Sequence, residues 1–247
     1  MAEEGENINC VDAKVVLVGE SGVGKTSIIK QFTSHKFDPD CSASISSQFS
    51  SKVVNISDCK KAIRFDLWDT AGQEKYRSLA KIFYRDASVI ILVYDITSEI
   101  SFQAIKDFWY VESEKYANKK SLFVIVANKA DLSKSERTNY FVGLKFAKEI
   151  KAIFTQTSAS SNMGINDLFT NIGEKLLDPE YEINYDENIF ENQIYNKKLK
   201  ELNEIASIKS NNTNVTIKTN KNKKLIKLEV FGKEEGTEEN AKKKCCH

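Results

Sequence analysis

Apolar and polar positions change period repeatedly between residues 13 and 177. AKVVLVG (13–19) is a short β-branched apolar run that stops at glycine, the pattern of a buried strand. GKTSIIKQFTS (24–34) follows with Ile28, Ile29 and Phe32 spaced to share one helix face. VVNIS (53–57) and AIRFDLWD (62–69) alternate as a hairpin does. SVIILVYDI (88–96) and SLFVIVANK (121–129) are nearly continuous apolar runs, as buried parallel strands require. Between them, SFQAIKDFWYVESEKY (101–116) puts Phe102, Ile105, Phe108, Trp109 and Tyr116 on one predicted helical stripe. RTNYFVGLKFAKEI (137–150) and NDLFTNIGEKLL (166–177) are further amphipathic helices. Repeated βα units predict an α/β fold, a mostly parallel sheet with helices on both faces. Ligands of such sheets bind at the carboxyl ends of the strands.

The pattern fails after Pro179, where asparagine and lysine dominate. The predicted organisation is a disordered N-terminus over 1–12, one domain over 13–177, and a largely disordered tail over 178–247. Within the tail, Val215 to Val230 leaves a strand pair open as the lesser alternative. Composition adds exclusions. The net charge of +1 gives no reason to expect a nucleic-acid partner. Five cysteines, three of them scattered and none in CxxC spacing, oppose a disulfide framework or zinc site. MAEEGENINC has no apolar run, so no secretory leader is expected. No apolar stretch has the length of a membrane span.

Three motifs bring chemistry. Gly19-Glu20-Ser21-Gly22-Val23-Gly24-Lys25-Thr26 is a glycine-rich loop between a strand and a helix. Its backbone N–H groups can point inward around phosphate oxygens, and the helix N-terminus adds a positive dipole. Lys25 is placed to reach the β- and γ-phosphates, Thr26 to ligate Mg²⁺, and Ser27 continues the first helical turn. Asp69-Thr-Ala-Gly72-Gln73-Glu follows the next strand. There Asp69 can hold Mg²⁺, Gly72 can offer its N–H to a γ-phosphate, and Gln73 can orient an attacking water. Asn128-Lys129-Ala-Asp131 ends a buried strand. The Asp131 carboxylate can accept from guanine N1–H and the 2-amino group, donors that adenine lacks. Thr157-Ser158-Ala159 can offer a backbone N–H to guanine O6.

In this order the motifs resemble a small GTPase of the Ras superfamily. RFDLWDTAGQEKYRSLAKIFYRDASVIILVYDIT resembles Rab proteins, most of all the early-endosomal branch. The resemblance covers residues 13 to 177. It implies a P-loop G domain with a six-stranded sheet, bound GTP or GDP, Mg²⁺, slow hydrolysis and two switch segments that order around the γ-phosphate. It assigns catalysis to Gln73 and Lys25, and places Phe37 against the guanine. Ser44, 18 residues after Thr26, stands where the family has a Mg²⁺-ligating threonine. Ser46 replaces a usual glycine and Ser160 a usual lysine. Ile45 and Phe49, with an aromatic triad at Phe65, Trp68 and Tyr84, match effector-facing positions.

The family's partners are also implied: an exchange factor, a GTPase-activating protein, a GDP-dissociation inhibitor or escort protein, and GTP-dependent effectors. Phe37 to Phe49 contains no arginine, so an activating protein is expected to supply one in trans. That contribution is worth about 10³–10⁵ in rate. The chain ends Lys242-Lys-Lys-Cys245-Cys246-His. Behind such a domain, Cys245 and Cys246 resemble a doubly prenylated Rab terminus, and two lipid chains give stable anchoring where one does not. The expected place is the cytoplasmic face of an intracellular membrane, endosomal, with cycling through the cytosol. Two alternatives stay open: a GTP-bound scaffold with little hydrolysis because of the altered first switch, and a P-loop ATPase or small-molecule kinase, which Asp131 opposes.

Overall fold

The computed structural model describes residues 10–39, 47–56, 61–70, 80–183, 185, 213–220 and 225–232; for Ala80 and the last two spans it describes the backbone alone. Contacts divide the chain into two units, Met1–Ile183 and Asn184–His247.

The first unit is built on a six-stranded sheet of order β2-β3-β1-β4-β5-β6. The strands are β1 (Cys10–Val18), β2 (Gln48–Ile56), β3 (Lys61–Asp69), β4 (Val89–Asp95), β5 (Leu122–Asn128) and β6 (Ile153–Gln156). Only β2 runs antiparallel to its neighbour. The expected α/β architecture is therefore present. The central strand β4 is buried at all seven positions, because helices cover both faces and no residue of it meets water.

On one face, α1 (Lys25–Ser34) and α6 (Ile165–Leu177) pack together over β2 and β3. Phe32 and Phe169 stack with ring centroids 3.5 Å apart, and Phe65 closes the cluster at 5.5 Å from Phe169. Gly173 lies so close to the Ile56 side chain that a Cβ there would displace it. On the other face sit α2 (Ala80–Tyr84), α3 (Glu99–Ala104), a π-helical turn (Ile105–Trp109), α4 (Tyr110–Tyr116) and α5 (Tyr140–Glu149).

Two boundaries differ from expectation. β2 begins at Gln48, five residues before the predicted start. Its early part is exposed and lacks the apolar signal that marks a strand by pattern, but its pairing with β3 runs unbroken from Gln48↔Asp69 to Ile56↔Lys61. The helix expected over 101–116 contains the π-helical turn. Phe102, Ile105 and Trp109 are buried as the stripe requires, while Tyr116 emerges 37% exposed, since the extra residue turns the later half about the helix axis.

In the second unit, β7 (Thr213–Asn220) pairs antiparallel with β8 (Leu225–Gly232), Val215 opposite Val230. The strand pair weighed as the lesser alternative is thus formed. A two-stranded ribbon is the least self-sufficient kind of sheet, so its pattern is weak against an asparagine- and lysine-rich background.

Candidate functional site

The carboxyl ends of β1, β3, β4 and β5 converge on the loop from Gly19 to Gly24. Gly19, Gly22 and Gly24 have φ of 143°, 77° and 97°, a region L side chains rarely adopt. A Cβ at Gly19 would meet the Val93 carbonyl, and one at Gly24 the Asn128 amide. This is a cradle that only glycine can form. Gly24 caps α1 without a side-chain hydrogen bond, so the first-turn N–H groups of Lys25, Thr26 and Ser27 have no acceptor within the helix. The helix dipole adds partial positive charge at this end, which suits an anion. Ser21 and Gly22 lie on the exposed rim, and Val23 is buried beneath it.

Lys25 folds back over this loop. Its Nζ donates to the carbonyls of Gly19 at 2.8 Å and Glu20 at 2.9 Å, and the residue is 5% exposed. Burial pushes its ammonium down to about 8, while the Asp69 and Glu20 carboxylates pull it back up. An arriving phosphate would restore the full charge.

Thr26 Oγ1 donates to Asp69 Oδ2 at 2.5 Å. Asp69, at the end of β3, is 2% exposed, and Thr70 Oγ1 ties the same strand end to the Leu17 carbonyl at 2.7 Å. A hydroxyl and a carboxylate in contact are two hard oxygen donors, the set Mg²⁺ uses together with phosphate oxygens and water. The residues present fit that ion.

The third motif does two jobs. Asn128 is 1% exposed. Its Nδ2 donates to the Val23 carbonyl at 2.8 Å and its Oδ1 accepts from Thr157 Oγ1 at 3.0 Å. It therefore straps the phosphate loop to the ends of β5 and β6. Lys129 has φ 66°, and its Nζ meets Asp95 Oδ2 at 2.7 Å. Asp95 in turn accepts from the N–H and hydroxyl of Thr97, so the Lys129 side chain is held along the pocket wall.

Asp131 Oδ1 accepts from Ser158 Oγ at 2.6 Å. Ser158 Oγ lies 3.1 Å from Ser160 Oγ and accepts from the Ser161 N–H at 3.1 Å. Partial burial pushes the Asp131 carboxyl up, but hydrogen bonds from Ser158 and Ser160, its own backbone N–H and the Lys129 charge outweigh it and hold the group below its usual value. An ionised acceptor is thus fixed where a base with two adjacent donors can meet it. Ala159 is buried beside it, and Phe37 is half exposed on the loop after α1.

A family model described as the Ras family matches residues 14–178. Curated relatives include "Ras-related protein Rab-30" of Homo sapiens, 37% identical over 66% of this chain and 79% of that protein. "Ras-related protein RabC" of Dictyostelium discoideum is 33% identical over 63% of this chain and 79% of its own. The chain belongs to the Ras family of small GTPases. Its relatives place it in the Rab group, so its enzymatic reaction is hydrolysis of GTP to GDP and phosphate.

In this GTPase, the first-turn N–H groups at Lys25, Thr26 and Ser27 are the candidate phosphate contacts, and the Asp131 carboxylate is the candidate guanine contact. Thr26 and Asp69 would hold a Mg²⁺, which would supply positive charge against the phosphates. Gln73, Gly72, Ser44 and Ile45, the expected switch residues, lie outside the described residues, as do Cys245 and Cys246.

The expected effector positions divide. Phe49 is 55% exposed, and its ring lies 5.2 Å from that of Trp68, which is half-buried. Phe65 and Tyr84 are each 0% exposed and belong to the core, Phe65 against Phe32 and Phe169. They present no surface to a partner in this conformation. The aromatic that completes the outer cluster is Phe83, half-buried, with its ring 5.5 Å from Trp68. The resemblance points to Tyr84, but of these two adjacent aromatics Tyr84 is buried in the core and Phe83 is the one partly exposed.

Proposed function

We propose that this GTPase is a GTP/GDP switch that recruits effector proteins to the cytoplasmic face of an intracellular membrane for vesicle trafficking, endocytic in kind. The observation that carries the reading is the partly exposed row Phe49, Trp68 and Phe83. Trp68 immediately precedes Asp69, so an aromatic docking surface adjoins the metal-binding carboxylate. A change at the γ-phosphate is then one residue from the surface a partner would read. Cys245 and Cys246 would carry the lipid anchor, Ser44 would join Thr26 and Asp69 in holding Mg²⁺, and Gln73 would orient the water.

Capture from cell extract by GTP-locked and GDP-locked chain tests the switch. GTP-selective partners are expected, and they are lost on Trp68→Ala. Identical partners in both states would refute it. Gln73→Leu is expected to slow single-turnover hydrolysis by at least about tenfold, with nucleotide affinity unchanged, since orienting the water belongs to the chemical step alone. Ser44 favours the scaffold alternative. A hydroxyl without the threonine methyl has a less restricted rotamer. Hydrolysis that stays negligible even with an activating protein would select that alternative.

A further inference from the structure

We propose that Trp109 is a positioning residue for the phosphate loop, acting through Glu20. The inference rests on the reading that Gly19 to Thr26 holds the nucleotide's phosphates.

Trp109 Nε1 donates to Glu20 Oε1 at 2.9 Å, across 89 residues of sequence. The indole is 0% exposed, and a buried indole N–H requires an acceptor. A backbone carbonyl would satisfy that need. The acceptor here is instead the carboxylate of the loop's own second residue. Glu20 puts a negative charge in the same loop whose far end offers N–H groups to phosphate. Its bond to the indole holds that charge toward the helix side of the loop. Meanwhile the Gly19 and Glu20 carbonyls receive the Lys25 ammonium. One residue thus carries both the anchor to Trp109 and a carbonyl that steers Lys25.

A second observation points the same way. Trp109 is the last residue of the π-helical turn Ile105–Trp109. Such turns are less favourable than continuous α-helix and recur at functional sites, where the extra residue re-aims a side chain. Here the turn lies against β4, whose Val93 carbonyl backs Gly19. The helix therefore departs from regular geometry in the turn that ends at Trp109, which reaches the loop. Trp109 touches no substrate atom in this account; it fixes the backbone that does.

The test is the dissociation rate of a fluorescent GDP analogue from the full chain in excess Mg²⁺, together with melting temperatures with and without GDP. Trp109→Phe keeps the ring and removes the donor. Glu20→Ala removes the acceptor, and Glu20→Gln retains one. Trp109→Phe and Glu20→Ala are each expected to speed release on the order of tenfold, the scale of one hydrogen bond to a charged group. Glu20→Gln should stay within about twofold of wild type, and the double variant Trp109→Phe/Glu20→Ala should be no faster than the faster single, as shared action requires. The melting-temperature gain on adding GDP should shrink in the same order. Wild-type release rates in both single variants, additive effects in the double, or an equal fall in melting temperature with and without GDP would each overturn the proposal. A wild-type chain that holds no guanine nucleotide would overturn the nucleotide site itself, and is distinguishable because no variant is then needed.

Discussion

Asp131 is held below its ordinary value of 3.8 by the bonds it receives. A carboxylate so held contributes stability that is present above that ordinary value and is lost as pH falls through its lower folded-state value. Ser158→Ala removes the leading bond, so the Asp131 carboxyl should titrate higher, as read by carbon NMR of the labelled side chain; an unmoved titration would count against the assignment. Asp131→Ala should cost guanine affinity roughly 10–100-fold, the worth of charge-assisted hydrogen bonds, and narrow the preference for GTP over ATP in competition. Gly24→Ala introduces a Cβ against the Asn128 amide at φ 97°, a strain of about 1–3 kcal/mol, and should release the strap to Val23 with loss of nucleotide binding in a titration. The loop that carries Lys25 and Thr26, and the separate strand end before Asp131, were legible in the sequence because motif spacing encodes each. Asn128 as a strap was not, since its partner Val23 lies 105 residues away and no local pattern records such a contact.

At the scale of elements, strands and helices announced themselves where burial is two-sided or periodic. β4 and β5 read as apolar runs because both faces of the sheet are covered. The first half of β2 and the π-helical turn did not, because one is exposed and held by backbone pairing and the other depends on where Trp109 must point. The stacked pair Phe32 and Phe169 joins α1, which begins the phosphate site, to α6. Phe169→Ala should therefore destabilise the fold by about 3–5 kcal/mol in denaturant unfolding. A loss below about 1 kcal/mol would show that the pair does not hold α1 in place.

The whole molecule joins a switch domain to a long second segment. Its composition marked the change near Pro179, and the contact boundary falls at Ile183. The hairpin β7–β8 shows how much a tail's composition conceals. Among the described residues no helix is long and apolar enough to cross a membrane; the attachment we propose is through lipid on Cys245 and Cys246. Cys245→Ser/Cys246→Ser should abolish prenyl labelling and move the chain from the membrane fraction to the supernatant; equal labelling would refute the anchor. Upstream of attachment and effectors lies the choice of ligand, which we assign to Gly19 to Thr26 and Asp131 together. Displacement of a bound fluorescent GDP analogue by unlabelled nucleotides in Mg²⁺ reads that choice. GDP and GTP should displace it at concentrations at least about 100-fold below those of ADP and ATP, the discrimination a site built around two base donors provides. Equal displacement by adenine and guanine nucleotides would contradict the assignment of Asp131 and the switch built on it.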